Sequence, residues 1–305
     1  MQSEKRVKRT LADGSVKTYS YTRGGLSVWT VGKTIAAYKA SAGFKRLADR
    51  TRVQYARNLD LLKALDAVPI ASVRRRHIRA IRDELSETPG SANEFVKVAR
   101  CLMSFALEDD IIEFNPLVRF KNLQIGEYQP WTDAQIAAMS KLPEYLRRAA
   151  VLALYTGQRE SDTRRMSWAD YDGQTIRVVQ QKTGARLWIP CHSELRAELD
   201  KWERQAVTIL TTSLGRPWAT ANSLATRFWR VTRTIPELSG VVYHGLRKTA
   251  AVRLAEAGCS THEIAAITGH RSLAMIQHYT KDASQKRNAV AAIFRLENGR
   301  KLPSK

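Results

Sequence analysis

Cysteine is scarce in this 305-residue chain, which contains only Cys101, Cys191 and Cys259. The three residues are far apart, odd in number, and none belongs to a C-x-x-C pair. This spacing excludes a disulfide framework and argues against a zinc site. We therefore expect reduced thiols that pack in the interior of a cytoplasmic protein.

Long hydrophobic runs are also missing from the sequence. No stretch reaches the roughly 18 apolar residues that identify a membrane-spanning helix. The basic N-terminus, MQSEKRVKRT, has no hydrophobic segment behind it. The sequence therefore predicts neither a signal peptide nor a membrane anchor.

Acidic residues are outnumbered, with 29 Asp and Glu against 50 Lys and Arg, and the formal net charge is +21. A charge of this size destabilises a compact chain by self-repulsion, so a polyanionic partner is the simplest explanation. Nucleic acid is the first candidate, and an anionic membrane surface is the second.

The length is sufficient for two domains with separate cores. Composition and periodicity divide the chain into a basic arm, a helical domain, a polar linker and a second domain, at residues 1–27, 28–123, 124–130 and 131–305. In the arm, alternating side chains around Asp13-Gly14 favour a β-hairpin, which would pair with a neighbouring sheet or contact DNA. A disordered basic tail fits the arm's composition equally.

The helical domain has apolar residues at helical spacing in four segments, at 30–40, 51–65, 73–85 and 92–109. The third segment opens with the basic run from Arg74 to His77. Because the chain is so positive, we interpret these basic edges as surfaces that contact a DNA backbone rather than as a solvated face.

The second domain mixes helices with one short hairpin. A core helix over 146–155 is ended by Gly157, and strands at 175–179 and 186–189 form a hairpin with Lys182 near its tip. Further helices are predicted at 193–210, 220–234, 250–257, 261–268 and 285–297.

The stretch from His244 to Tyr279 contains an ordered set of polar residues that packing alone does not explain. His244 and Arg247 are three apart, so on a helix they project to the same side. His270 follows Gly269 directly, and Tyr279 lies nine residues beyond His270. Taken singly, such residues are usually solvated or packing groups. We interpret the neighbouring residues His262 and His278 in that way.

A second set lies earlier in the domain. Arg159 follows Gly157 in the run T-G-Q-R, and Lys182 lies in the turn of the hairpin. Each also has an ordinary interpretation, as a helix-surface arginine and a solvated turn lysine.

These residue types suit attack on a phosphodiester. Two guanidiniums bind non-bridging phosphate oxygens and stay charged at any working pH. Histidines donate hydrogen bonds or exchange protons near neutrality. A lysine protonates a departing 5′-oxygen, and a tyrosine forms a covalent ester that conserves the bond energy. The sequence has no carboxylate cluster suited to Mg²⁺ beside these residues, so no metal or cofactor is expected.

The ordered set T-G-x-R, hairpin lysine, H-x-x-R, G-H and tyrosine resembles the tyrosine recombinase (phage integrase) family. The resemblance implies that the catalytic residues are Arg159, Lys182, His244, Arg247, His270 and the nucleophile Tyr279. It also implies that Asp162, the acidic residue three positions after the first arginine, supports the site. Glu160 departs from the family pattern, which often has an apolar residue there.

The resemblance implies a mainly α fold with a small β-sheet, in which a helical core DNA-binding domain precedes a mixed α/β catalytic domain. It implies a site-specific recombinase that cleaves and rejoins double-stranded DNA through a 3′-phosphotyrosyl intermediate. A bacterial or phage-encoded protein that acts as a homotetramer on DNA is expected, with the 285–297 helix docking onto a neighbour. An accessory directionality or DNA-bending protein is left open. The alternatives are a type IB topoisomerase-like enzyme and a non-catalytic DNA-binding regulator.

Overall fold

The computed structural model describes residues 4–10, 16–22 and 28–298. The chain divides into two compact units, Met1–Gly126 and Glu127–Lys305. This division falls inside the segment 124–130 that the sequence predicts as a linker. The described residues are mainly helical, with two antiparallel pairs of strands, which confirms the predicted fold class. No helix in the described ranges is long and apolar enough to cross a membrane.

The first unit begins with two antiparallel strands, β1 (Glu4–Thr10) and β2 (Val16–Thr22). Their register places Glu4 opposite Thr22 and Thr10 opposite Val16. The predicted strands of the arm are therefore confirmed. The predicted turn, Asp13-Gly14, lies outside the described residues.

Five helices follow in the described part of this unit: α1 (Val31–Ala40), α2 (Ala42–Lys45), α3 (Asp49–Asp60), α4 (Arg75–Glu84) and α5 (Pro89–Glu108). The core forms where the apolar faces of these helices meet, and α5 contributes the fully buried side chains of Phe95, Val98 and Leu102. The helical periodicity of the sequence is thus confirmed in this unit.

The predicted 51–65 helix is too long, because α3 ends at Asp60 and a 3₁₀ turn follows at Lys63–Leu65. The start of α1 explains this ending. The N–H groups of Val31 and Gly32 donate to the carbonyls of Val68 and Asp66 at 2.9 and 3.1 Å. These first N–H groups have no partner inside their own helix, so they bind carbonyls of the turn at 66–68 instead.

Over residues 127–298, the second unit contains one strand pair, β3 (Thr175–Val179) with β4 (Arg186–Pro190), in which Val179 lies opposite Arg186. Its helices in the described part are α6 (Asp133–Ala137), α7 (Glu144–Thr156), α8 (Glu160–Thr163), α9 (Ser193–Lys201), α10 (Ala221–Thr232), α11 (Tyr243–Glu256), α12 (Thr261–Thr268) and α13 (Leu273–Asn298).

Two predictions for this unit are wrong. The predicted 193–210 helix ends at Lys201, because the later residues pair with a segment distant in sequence. Trp168 donates its N–H to the Val207 carbonyl at 3.0 Å, and Ile209 donates to the Met166 carbonyl at 2.9 Å. The predicted separate helix at 285–297 is instead the end of α13, since no glycine or proline interrupts the chain from Leu273 to Asn298.

The core of the second unit is built on α7, whose residues Leu146, Ala149, Ala150, Leu152 and Ala153 are fully buried. The helix α11 packs against α7. Small alanine side chains on α7 allow this close packing, which brings the C-terminal end of α7 near the middle of α11.

Candidate active site

The T-G-Q-R run forms a tight turn at the end of α7. Gly157 has a left-handed backbone with φ 63°, which favours glycine, and it caps the helix. A Cβ on Gly157 would lie 3.0 Å from Thr268 Cγ2, so the turn packs closely against the end of α12. The predicted helix end at Gly157 is confirmed.

Arg247 lies on α11 and is buried, with 2% of its surface exposed. Its Nη1 donates to the carbonyls of Gly157 at 2.7 Å and Thr268 at 2.6 Å. These bonds join the end of α7 to the end of α12 through one guanidinium. The ordinary interpretation of Arg247 as a solvated surface group is therefore wrong.

Arg159 directly precedes α8 and is partly buried, with 20% of its side chain exposed. Its Nη1 donates to Gln180 Oε1 at 3.3 Å and lies 3.9 Å from Asp162 Oδ2. Asp162 is buried, and its Oδ1 accepts the backbone N–H of Gln181 at 2.9 Å. One carboxylate thus contacts the arginine and the start of the β3–β4 turn.

His244 lies in the first turn of α11 and is half-buried. The ring of Tyr128 packs edge-on against it, with a centroid separation of 5.8 Å. Burial lowers the pKa of His244. The carboxylate of Glu160 opposes this shift in pKa, while the charges of Arg247 and Arg159 add to it. The imidazole therefore lies in the field of both arginines.

The local backbone fixes where α11 begins. Trp131 donates its backbone N–H to Thr249 Oγ1 at 2.7 Å and its indole N–H to the Val242 carbonyl at 3.0 Å. A Cβ on Gly245 would lie 2.8 Å from Trp131 Cδ1 and from the Gln129 carbonyl oxygen. Glycine is therefore required beside His244, because the 129–131 segment crosses the helix there.

His270 follows the left-handed cap Gly269, and its Nδ1 lies 2.7 Å from Thr268 Oγ1. The Thr268 hydroxyl donates its single hydrogen to the Ile264 carbonyl at 2.6 Å, so it accepts from His270. The neutral ring therefore carries its hydrogen on Nδ1, which leaves the lone pair on Nε2. Burial, followed by the charges of Arg247 and Arg159, lowers the pKa of His270 to about 3.

Lys182 is exposed in the turn between β3 and β4. The residues around it are held from three sides. Thr183 Oγ1 donates to Gln180 Oε1 at 2.8 Å, Arg271 donates to the Thr183 carbonyl, and the N–H of Gln181 is bound by Asp162. The base of the turn is thus fixed, while Lys182 itself faces solvent.

Tyr279 is the seventh residue of α13, and its side chain is outside the described part of the chain. The helix around it is anchored to the unit. Ile276 is fully buried against Ala251, Ala255 and Ile264, and Thr280 is 2% exposed. Buried side chains therefore lie on both sides of Tyr279 along α13, which packs against α11.

The structure brings Arg159, Arg247 and His270 together around the end of α12, while Lys182 lies two residues beyond Gln180. The sequence analysis did not identify Gln158, Gln180 and Thr268, whose polar atoms link these residues. The sequence contains a pattern that could have identified Gln180. Ile176 and Val178 are the buried, alternating residues of β3, and continuing the alternation places Gln180 on the same inward face.

A cavity of about 570 Å³ opens beside His244, with Tyr128, Glu160 and Trp229 on its walls. The described residues contain no group of three or more His, Cys, Asp or Glu side chains that would hold a metal ion. His262 is exposed, as its interpretation as a surface group predicts, and the side chain of His278 is outside the described residues.

Comparison with known proteins identifies relatives of this chain. Residues 132–286 match the phage integrase family. The integrase of Escherichia phage HK022 is 27% identical over 180 residues, which cover 54% of this chain and 49% of that protein. The integrase of Enterobacteria phage 434 is 26% identical over 274 residues, which cover 81% of this chain and 74% of that integrase. The match to the HK022 protein thus spans about half of its length.

A solved structure has the same fold. In the crystal structure of a lambda integrase tetramer bound to a Holliday junction, the integrase superposes with a TM-score of 0.71 at 21% identity, covering 85% of this chain and 79% of that one. The family match places the chain in the class of tyrosine recombinases, and the superposition shows the same fold. Within that class, the chain belongs to the phage integrase family.

Proposed function

We propose that this protein cleaves and rejoins double-stranded DNA at a specific site, with Tyr279 as the nucleophile and Arg159, Lys182, His244, Arg247 and His270 as the other catalytic residues. One observation carries the proposal. Arg159, Arg247 and His270 belong to a single hydrogen-bond network that includes Gln180 and Thr268.

The two arginines supply the electrostatic part of the mechanism. A phosphodiester under attack gains charge on its non-bridging oxygens, and guanidiniums that are already in place stabilise it without reorganisation. Arg247 is fixed by two backbone carbonyls, so its orientation does not depend on the substrate. Arg159 is more exposed and contacts the phosphate from the side of the hairpin.

The histidines contribute hydrogen bonds at the same phosphate. With Nδ1 protonated, His270 presents its Nε2 lone pair as an acceptor for the proton of the attacking tyrosine. Both rings have a lowered pKa, which keeps them neutral at pH 7 before DNA binds. A bound phosphate brings negative charge, which favours a protonated His244 that donates to its oxygens, while His270 stays neutral and accepts the tyrosine proton.

These residues account for every bond and proton that changes in the reaction. The Tyr279 oxygen forms a bond to phosphorus as its proton passes to His270, and the P–O5′ bond breaks. Lys182 protonates the departing 5′-oxygen, and its exposed position in the turn leaves its ammonium group accessible to the DNA. The products are a 3′-phosphotyrosyl link and a free 5′-hydroxyl, and attack by a 5′-hydroxyl reverses the steps.

The partners we propose are duplex DNA and three further copies of this chain. The lambda integrase to which this chain is similar forms a tetramer bound to a Holliday junction. On α13, the apolar side chains of Val290, Ile293 and Phe294 are more than half exposed, so this face is available to dock onto a neighbouring copy.

Each part of the chain has a proposed role. Residues 28–123 form the core DNA-binding domain, residues 124–130 link it to the catalytic domain at residues 131–305, and residues 1–27 form an arm. Because the substrate is DNA, the protein acts at the nucleoid in the bacterial cytoplasm.

A covalent adduct assay tests the proposal. Duplexes cut from the DNA that flanks the gene are incubated with the protein and run on a denaturing gel. The unchanged protein should form a protein–DNA adduct. Tyr279→Phe should bind the same duplex and form none, because only the hydroxyl is lost. An adduct that persists in Tyr279→Phe would assign the nucleophile to another residue. Relaxation of plasmids that lack the site would favour the topoisomerase alternative, and binding without any adduct would favour the regulator.

A further inference from the structure

The side chain of Gln180 is fully buried at the end of β3 and is saturated with hydrogen bonds. Its Nε2 donates to Gln158 Oε1 at 2.6 Å and to the Thr268 carbonyl at 2.8 Å. Its Oε1 accepts from Arg159 Nη1 at 3.3 Å and from Thr183 Oγ1 at 2.8 Å. A carboxamide has two N–H donors and one oxygen with two lone pairs, so Gln180 uses its whole capacity.

The orientation of this carboxamide is fixed by its neighbours. Gln158 donates its own Nε2 to the carbonyls of Thr156 at 3.0 Å and Ile267 at 2.8 Å, so its oxygen faces Gln180. The Thr268 carbonyl is also an acceptor only. A reversed Gln180 amide would place oxygen against oxygen at both contacts, which is unfavourable in a buried site. The oxygen of Gln180 is therefore the atom that faces Arg159.

The same carboxamide lies next to the turn that holds Arg247 and His270. The Thr268 carbonyl accepts from both Gln180 and Arg247. A Cβ on Gly269 would lie 2.7 Å from Gln180 Cδ, so glycine is needed there to admit the amide. One side chain thus contacts Arg159, the acceptor of Arg247 and the turn that carries Lys182.

We propose that Gln180 is a positioning residue that sets Arg159 and the Lys182 turn relative to the Thr268 carbonyl that anchors Arg247. This inference rests on the proposed recombinase function. Gln180 does not reach the substrate and acts through the residues it orients. Its loss frees the Arg159 guanidinium and the base of the hairpin turn at the same time.

The first test replaces Gln180 with methionine, which has a similar shape but lacks both the donors and the acceptor. Adduct formation in a single turnover should fall by about 10²-fold, the order expected when reacting groups shift by about 1 Å. Affinity for the duplex should stay unchanged. The matched control is Gln181→Met, since Gln181 is exposed and joins the site through its backbone N–H. A rate for Gln180→Met equal to that of the unchanged protein would overturn the proposal.

The second test separates positioning from general damage to the fold. Thr183→Val removes the bond between Gln180 and the Lys182 turn, and it applies even if Gln180→Met does not fold. Cleavage by Thr183→Val should be slow on ordinary DNA and recover on a substrate with sulfur at the bridging 5′ position, because a thiolate leaves without a proton from Lys182. The cleavage rate of Gln180→Met should recover only in part on the sulfur substrate, since Arg159 is also displaced in that variant. Equal slowing on both substrates by Thr183→Val would contradict the link to the turn.

A third measurement does not depend on activity. Urea unfolding of Gln180→Met, Arg159→Ala and the double variant forms a double-mutant cycle. The two changes should be non-additive, because the residues are in direct contact, and strict additivity would overturn the proposal. If the unchanged protein forms no adduct, the proposed function fails, whereas this cycle still decides whether Gln180 holds Arg159.

Discussion

Arg247 has a structural role in addition to the proposed catalytic one. Its guanidinium is buried and is the donor for the carbonyls of Gly157 and Thr268. Hydrogen bonds from a charged donor contribute roughly 1.5–3 kcal/mol each, and without Arg247 the Gly157 carbonyl loses this donor while the Thr268 carbonyl keeps only Gln180.

We therefore expect Arg247→Ala to lower the free energy of unfolding by about 3 kcal/mol, in addition to abolishing adduct formation. Urea denaturation followed by circular dichroism measures the loss. The control is Arg177→Ala, an exposed arginine on β3, which should change stability by less than about 0.5 kcal/mol. Equal stability of the two variants would show that Arg247 does not hold the two helix ends together.

The depressed pKa of His270 predicts a dependence of stability on pH. In the folded protein the pKa is about 3, below the value of 6.5 that is usual for histidine. Protonation therefore favours the unfolded chain, so His270 reduces stability progressively as the pH falls from about 6.5 towards 3. Above pH 6.5 the ring is neutral in both states, and this contribution is absent.

The variant His270→Asn lacks this titration. The stability of the unchanged protein relative to His270→Asn should decrease between pH 7 and pH 4.5, as measured by urea unfolding at several pH values. A difference in stability that stays constant over that range would contradict the lowered pKa.

Among the elements, α13 carries an apolar face that is exposed in a single copy of the chain. Val290, Ile293 and Phe294 recur at helical spacing, and Phe294 is 64% exposed. Exposed apolar side chains grouped on one face indicate a contact with another protein surface.

Phe294→Asp should weaken assembly on DNA, because it places a charge on the face that we propose to be buried between copies. Analytical ultracentrifugation of the protein with its duplex site should show smaller complexes than the unchanged protein forms. Gln285→Asp is the matched control, since it adds the same charge at an exposed polar position of the same helix. Assembly that is unaffected by Phe294→Asp would place the interface elsewhere.

Elements whose ends are marked by local signals were predictable from the sequence. Gly157 and Gly269 adopt the left-handed caps that their positions indicate, and Ser260 with Glu263 forms the capping box at the start of α12. The region after Lys201 was not predictable. Its backbone pairs with the 166–168 segment, and such long-range pairing overrides local helix propensity.

The candidate site also has a part that was predictable from the sequence and a part that was not. The ordered motif is enough to nominate six residues, because chemistry restricts which side chains can act on a phosphodiester. The supporting polar residues are harder to find. Gln158 lies in the turn after α7 and Gln180 directly follows β3, and only the fold brings Gln180 Nε2 to 2.6 Å from Gln158 Oε1.

For the whole molecule, the net charge of +21 links the fold to its proposed substrate. The basic residues do not all serve DNA. At the start of α4, Arg75 donates to the carbonyls of Pro116 and Val118 at 2.7 and 2.6 Å, so it holds the end of its own unit together. Arg76 beside it donates to His77 Nε2 at 3.3 Å and is exposed, so it is a better candidate for a phosphate contact.

Affinity for duplex DNA should fall steeply with salt, because each phosphate neutralised contributes about −0.9 to the slope of log K against log salt concentration. Contact with six phosphates would give a slope of about −5. Arg76→Gln should reduce the magnitude of that slope by about one and weaken binding to all duplexes alike, since a phosphate contact carries no sequence information. The control is Arg52→Gln, because Arg52 is already paired with Asp49 at 2.5 Å. Binding titrations at several salt concentrations measure both slopes, and a slope that Arg76→Gln leaves unchanged would remove the N-terminal end of α4 from the DNA-contacting surface.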